Sequence, residues 1–171
     1  RKLSIQVQIQ QGNQQSYIKE TQMKTHTITK RFGPYPAAHR QHNHDGHCKL
    51  IHGHNWTFDV TFTAAVLDAN KFVVDFGKFG AFKDELTNLF DHTFLVNSDD
   101  PCLPVFKALE DEGLAKIVVV NSGGAEGIAE LVSQAAWQYV TREYGHQGRG
   151  VTVVSVAVHE DEKNMATYSR L

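Results

Sequence analysis

The stretch "HGHNWTFDVTF" limits this chain more than any other. His52, His54, Trp56, Phe58, Val60 and Phe62 alternate with Gly53, Asn55, Thr57, Asp59 and Thr61. A period of two marks a half-buried strand, because successive side chains on a strand point to opposite faces of the sheet. One face is apolar except at its start, where two imidazoles stand in the same row, roughly 7 Å apart along the strand. A strand over about His52 to Val66 therefore needs a sheet with one covered face. It also delivers His52 and His54 side by side at the end of that face, with Gly53 between them leaving the backbone bare.

The remaining pattern supplies the rest of the domain. The β-branched residues of Thr25 to Phe32 predict a second strand, broken by Gly33, Pro34 and Pro36 in "GPYPAAHR". Phe79, Phe82, Leu86, Leu89 and Phe90 recur at helical spacing over roughly 76–90, with Asp75 as an N-cap. A short helix over 103–112 and the extended piece "KIVVV" follow. The segment "NSGGAEGIAELVSQAAWQYVTREYG" then predicts a long amphipathic helix closed by Gly145. "RGVTVVSVAVHEDEKNMATYSRL" reads as two strands about the turn "DEKN". The order ββ, helices, ββ predicts an α+β domain, an antiparallel sheet with its helices on one face. A chain of 171 residues holds one such domain with a full core. "LSIQVQIQ" also alternates, so residues 1–22 are either an extra edge strand or a vector-derived extension. Met23 then opens a domain over 23–171.

Composition excludes more than it assigns. The net charge of −2 gives no footprint for nucleic acid or an anionic membrane. No apolar run approaches the roughly 20 residues of a membrane helix. Two cysteines, Cys48 and Cys102, make no disulfide framework, and no signal segment opens the chain, so a cytoplasmic protein with free thiols is expected.

His52 and His54 alone are an ordinary pair of strand-end histidines as readily as half a metal site. A third imidazole changes that balance, and His39 in "AAHR" lies where a hairpin partner of residues 52–54 falls. Three histidines without a fourth protein ligand leave an open position, the arrangement of catalytic rather than structural zinc. Cys48, four residues before His52, is either a fourth ligand or a thiolate base or nucleophile beside the metal. Asp91 next to His92 is an orienting pair for a thiol or a solvated helix end. Glu160 is an exposed strand end or a carboxylate for the N–H edge of a guanine or pterin ring. His42, His44 and His47 read as solvated loop residues, and His26, His146 and His159 as ordinary, with His159 pointing opposite to Glu160. Trp56 and Phe58 read as core, and Cys102 as an unreactive thiol.

The motifs "FGPYPAAHR", Cys-x3-His-Gly-His-Asn, "FVVDFGKF", "FDHTFLVN", Ala-Glu-Gly-Ile-Ala and "VHED" followed by "ATY" occur in order. Together they resemble the 6-pyruvoyl-tetrahydropterin synthase family over about residues 25–170. The Cys-x3-His-Gly-His spacing is similar to the bacterial 6-carboxy-tetrahydropterin synthase branch of 7-deazaguanine (queuosine) biosynthesis. The resemblance implies the tunnelling fold, ββααββ, in which trimers close a barrel and pair into homohexamers with active sites between subunits. It implies catalytic Zn²⁺ on His39, His52 and His54, and Cys48 as general base assisted by Asp91 and His92. Glu160 would anchor the pterin, with Glu126 as a second substrate contact. The implied substrate is 7,8-dihydroneopterin triphosphate, converted to 6-carboxy-5,6,7,8-tetrahydropterin with release of triphosphate and acetaldehyde. A pyruvoyl-forming activity and a non-catalytic pterin- or purine-binding zinc oligomer are the alternatives.

One departure stands out. The family's Pro-Thr-x-Glu-Asn stretch is "GGAEG" here: Gly123 and Gly124 replace Pro and Thr, Gly127 replaces Asn, and Glu126 matches. This predicts a looser loop and leaves the substrate preference open. The stretch "SDDPCLPVFKALEDEGLAKIVVV" is longer than in minimal members and is expected to remodel the pocket rim. Lys30, Arg31, Arg40 and Lys49 are the candidate partners of the triphosphate.

Overall fold

The computed structural model describes residues 25–170. Strand β1 (His26–His39) lies antiparallel to β2 (His52–Ala64), with His26 opposite Ala64 and His39 opposite His52. β1 continues through the Gly-Pro stretch that was expected to end it, by means of a register shift between Phe32 and Tyr35. Gly33 makes the irregularity possible. Its φ is +99°, and a Cβ there would lie 2.6 Å from the carbonyl oxygen of Trp56, which no side-chain-bearing residue tolerates.

After β2 come α1 (Gly80–Phe90), β3 (Thr93–Asn97), α2 (Leu103–Asp111), β4 (Ile117–Val120), α3 (Ala125–Tyr144), β5 (Thr152–His159) and β6 (Met165–Ser169). They form one sheet in the order β4-β3-β1-β2-β5-β6. The even face of β2 is the floor of the core: Trp56, Phe58, Val60 and Phe62 are fully buried. Phe82, Leu86 and Phe90 of α1 and Ile128, Val132 and Ala136 of α3 close over it. Aromatic edges lock the layers, as where Phe32 meets Phe82 edge-on with centroids 5.0 Å apart. Asp75 caps as expected, accepting the N–H of Gly77 at 2.8 Å, but it heads a single turn at 76–78 that precedes α1.

The α+β class holds, and one edge of the sheet differs from the expectation. The four strands β1, β2, β5 and β6 are antiparallel, whereas β3 pairs parallel to β1, and β4 parallel to β3. β3 was not expected because all five of its residues are buried, so it shows no alternation. Burial on both sides needs cover on both sides. Leu95 joins the main core, while Phe94 and Val96 pack with Phe106 of α2, so α2 covers the opposite face from α1 and α3. Among the described residues no helix is long and apolar enough to cross a membrane. Residues 1–22, expected to be an added strand or an extension, lie outside the described residues.

Candidate active site

The register of β1 on β2 builds the site. His39 and His52 are directly opposed, so their rings leave the same face of the sheet, and His54 follows two residues on. Ring centroids are 4.4 Å apart for His39 and His52, and 5.2 Å for each of the other two pairs. Glu160, immediately after β5, completes the cluster: its Oε1 lies 3.2 Å from Nε2 of His54 and 3.6 Å from Nε2 of His39. One ligand atom from each of the four residues falls within 4.8 Å of every other.

Backbone carbonyls choose the tautomers. Nδ1–H of His39 donates to the carbonyl of Gly123 at 2.7 Å, and Nδ1–H of His52 donates to that of Leu50 at 2.8 Å. In both rings Nε2 is left as the lone-pair nitrogen, the usual arrangement for a metal-binding histidine. Nε2 of His39 and Nε2 of His54 are buried without a hydrogen-bond partner. Buried polar atoms are rarely left so. Burial pushes the His39 imidazole down to about 4, opposed by the Gly123 carbonyl and reinforced by His52 and His54. It is therefore neutral at pH 7, the form that ligates. Three imidazoles and a carboxylate fit Zn²⁺ in charge and donor type.

Comparison with known proteins gives the family. The family described as 6-pyruvoyl tetrahydropterin synthase matches residues 27–170. The chain belongs to this family. That places it among enzymes of pterin metabolism. The 6-carboxy-5,6,7,8-tetrahydropterin synthase of Rickettsia typhi is 31% identical over 97 residues, 56% of this chain and 69% of the relative. Among solved structures, an uncharacterized protein of Wolinella succinogenes superposes with a TM-score of 0.73 at 21% identity, covering 86% of this chain and 99% of its own. A 6-pyruvoyltetrahydropterin synthase of Plasmodium vivax superposes with a TM-score of 0.65 at 14% identity, over 86% and 98%. These two structures show the shared fold.

In this pterin synthase-family fold the other expected site residues are not all gathered at the histidines. Cys48 lies in a single turn, His47–Lys49, half-buried, and adds no atom to the metal-capable group. His92 has a φ of +56°, its N–H donates to the carbonyl of Pro36, and its ring meets Asp91 at 2.9 Å. Its exposed side chain lines an open cleft of about 400 Å³ with Ala38, Gly53, Asn55 and His54. Ala38, Gly53 and Asn55 alternate with His39, His52 and His54, so they lie on the other face of the sheet. Glu126 sits exposed on the first turn of α3.

The expected looseness of the "GGAEG" loop is not what the structure shows. Gly123 donates its N–H to Oδ1 of Asn97 at 2.6 Å while its carbonyl holds His39. A Cβ at Gly124 would lie 3.0 Å from Nε2 of Gln41, and one at Gly127 would lie 2.4 Å from the Ser122 carbonyl oxygen. The loop is glycine-rich because it is packed tightly. Gly123 is also a site residue that sequence reasoning missed, since a carbonyl leaves no mark on residue type.

Two candidates for the triphosphate are already engaged. Arg40 forks onto Asp100, and Arg31 onto Asp59. Lys30 sits 5.7 Å from the centroid of the Phe76 ring, and Lys49 is exposed. His42, expected to be solvated, has only 8% of its side chain exposed. His159 does point away from Glu160, its Nε2 lying 3.0 Å from Asp59.

Proposed function

We propose that the chain is a zinc-dependent lyase acting on 7,8-dihydroneopterin triphosphate, forming 6-carboxy-5,6,7,8-tetrahydropterin with loss of triphosphate and acetaldehyde. The observation that carries the reading is the convergence of His39, His52 and His54, with two tautomers set by carbonyls and two buried Nε2 atoms unpartnered. The Cys-x3-His-Gly-His spacing and the similarity to the Rickettsia typhi 6-carboxy enzyme favour the carboxy branch.

His39, His52 and His54 would hold the ion. Zn²⁺ bound there would supply Lewis acidity toward the hydroxyls of the substrate side chain. Cys48, as the thiolate, takes a carbon-bound proton made acidic by the pterin imine. Asp91 orients the imidazole of His92, which relays the proton. His92 lines a cleft and adds no atom to the metal-capable group of its own chain, and in a trimer-based homohexamer the dyad serves a neighbouring subunit's site. Glu160 lies within reach of the metal position in the isolated chain, and with substrate bound its carboxylate accepts the N–H edge of the pterin. Glu126, at the start of α3, is the second carboxylate at the pterin.

Incubating the zinc-loaded protein with 7,8-dihydroneopterin triphosphate and identifying the products tests the reading. Acetaldehyde together with carboxypterin supports it. A pyruvoyl product, or no turnover by the zinc-loaded oligomer, overturns it.

A further inference from the structure

The connection between β3 and β4 carries a fully buried carboxylate that the proposed chemistry leaves unused. Asp100, just before α2, has no exposed side-chain surface. Its Oδ2 accepts Nε–H of Arg40 at 2.6 Å, and its Oδ1 accepts Nη2–H of Arg40 at 2.8 Å and the N–H of Cys102 at 2.8 Å. The guanidinium also lies over the ring of Phe106 in α2, 5.4 Å from its centroid. A fork held at two points and stacked on an aromatic face has little freedom left.

What that rigid group holds is the turn bearing Cys48. The remaining arm, Nη1 of Arg40, donates to the carbonyl of Lys49 at 3.4 Å, and the backbone N–H of the next residue, Gln41, donates to the carbonyl of Cys48 at 2.8 Å. Arg40 and Gln41 follow His39 directly. The Cys48 turn is therefore tied, through two consecutive residues, to the strand end that presents His39. Asp100 fixes the orientation of the first of them.

The geometry points to Asp100 as a positioning residue: through Arg40 it sets the distance between the Cys48 thiol and the three-histidine centre. This rests on the reading of Cys48 as the base. It gives the β3–β4 connection a role in the reaction without contact with the substrate. Freeing Arg40 removes the tie at the Lys49 end of the turn and leaves the Gln41–Cys48 backbone bond, the β1–β2 register and the histidines in place.

The test has one arm that needs no substrate. In a Cys102→Ser background, alkylation of Cys48 by iodoacetamide is followed by mass spectrometry on the zinc-loaded protein, with and without Asp100→Asn. Loosening the turn is expected to raise the rate about threefold or more. In the second arm, kcat on 7,8-dihydroneopterin triphosphate, normalised to zinc-bound protein, falls about tenfold. KM stays within about twofold; because kcat is counted per zinc-bound protein, loss of folded protein alone would leave kcat at the parental value. The double variant Arg40→Met with Asp100→Leu removes both buried charges together, so it keeps the experiment decisive where Asp100→Asn fails to fold. Unchanged alkylation in whichever of these variants folds overturns the inference. Absence of turnover by the parent overturns the lyase reading, and the alkylation arm still decides the role of Asp100.

Discussion

The carbonyl of Gly123 accepts Nδ1–H of His39 at 2.7 Å, while the N–H of the same glycine is held by Asn97 at 2.6 Å. The connection into α3 thereby fixes which nitrogen of His39 faces the centre. Losing such an outer partner typically costs about 10–100-fold in metal affinity, and losing a ligand costs more. Asn97→Ala is expected to weaken Zn²⁺ binding about tenfold, and His39→Ala or His52→Ala by more than about 100-fold. Chelator competition with metal analysis reads this. One zinc per chain at parental affinity in His52→Ala would sink the site.

Gly127 and Gly80 make opposite predictions for the same substitution. Alanine at 127 drives its Cβ to 2.4 Å from a backbone oxygen, which cannot swing aside, whereas alanine at 80 meets nothing within 4 Å. Gly127→Ala is expected to destabilise by about 1–3 kcal/mol, the usual cost of overpacking. Gly80→Ala, at the first residue of α1, is neutral or stabilising by up to about 1 kcal/mol. Urea midpoints for the two variants compare them. Equal midpoints would mean that the 121–127 loop relaxes freely.

Much of the centre was legible in the sequence because a strand has only one way to alternate. Parity put His52 and His54 on the face of Trp56 and Phe58, and pairing with the preceding strand supplied His39. Parity also sent His159 away from Glu160. The same logic failed at β3, where every residue is buried and no period survives. It failed again at Gly33, where a bulge carries β1 through residues that ordinarily stop a strand. The packing of Gly127 on Ser122 and the fork of Arg40 on Asp100 join residues five and sixty positions apart. No local pattern records such contacts.

On the polar face of the sheet, Asp59 is held by Arg31 and by His159. Chiefly through the Arg31 hydrogen bond, its carboxyl sits below the ordinary value of 3.8, against the effect of its own partial burial. The unfolded chain therefore takes up the proton more readily. The stabilisation is complete above about pH 4 and is lost as pH falls through the lower folded value. Arg31 is largely exposed, so solvent screening keeps the gain small. Asp59→Asn is expected to lose that increment at pH 6 and to converge with the parent toward pH 2. Urea unfolding at the two values measures it. A difference that grows on acidification would contradict the assignment.

Cys48 and His92 define a complementation experiment. The thiol belongs to the turn tied to the His39 strand end, whereas the exposed His92 ring lines the cleft with Ala38, Gly53, Asn55 and His54. If the base and its relay meet only between subunits, Cys48→Ala and His92→Ala each lower turnover, by about 10²- to 10⁴-fold as is usual for acid–base groups. Both retain zinc, since neither contributes to the four-residue group. Dissociating the two variants, mixing them and reassembling creates interfaces that pair an intact Cys48 with an intact His92. Turnover is expected to return in the mixture and in neither parent. A mixture as inactive as its components would overturn the pairing across subunits, because a closed oligomer presents both kinds of interface once its subunits are shuffled.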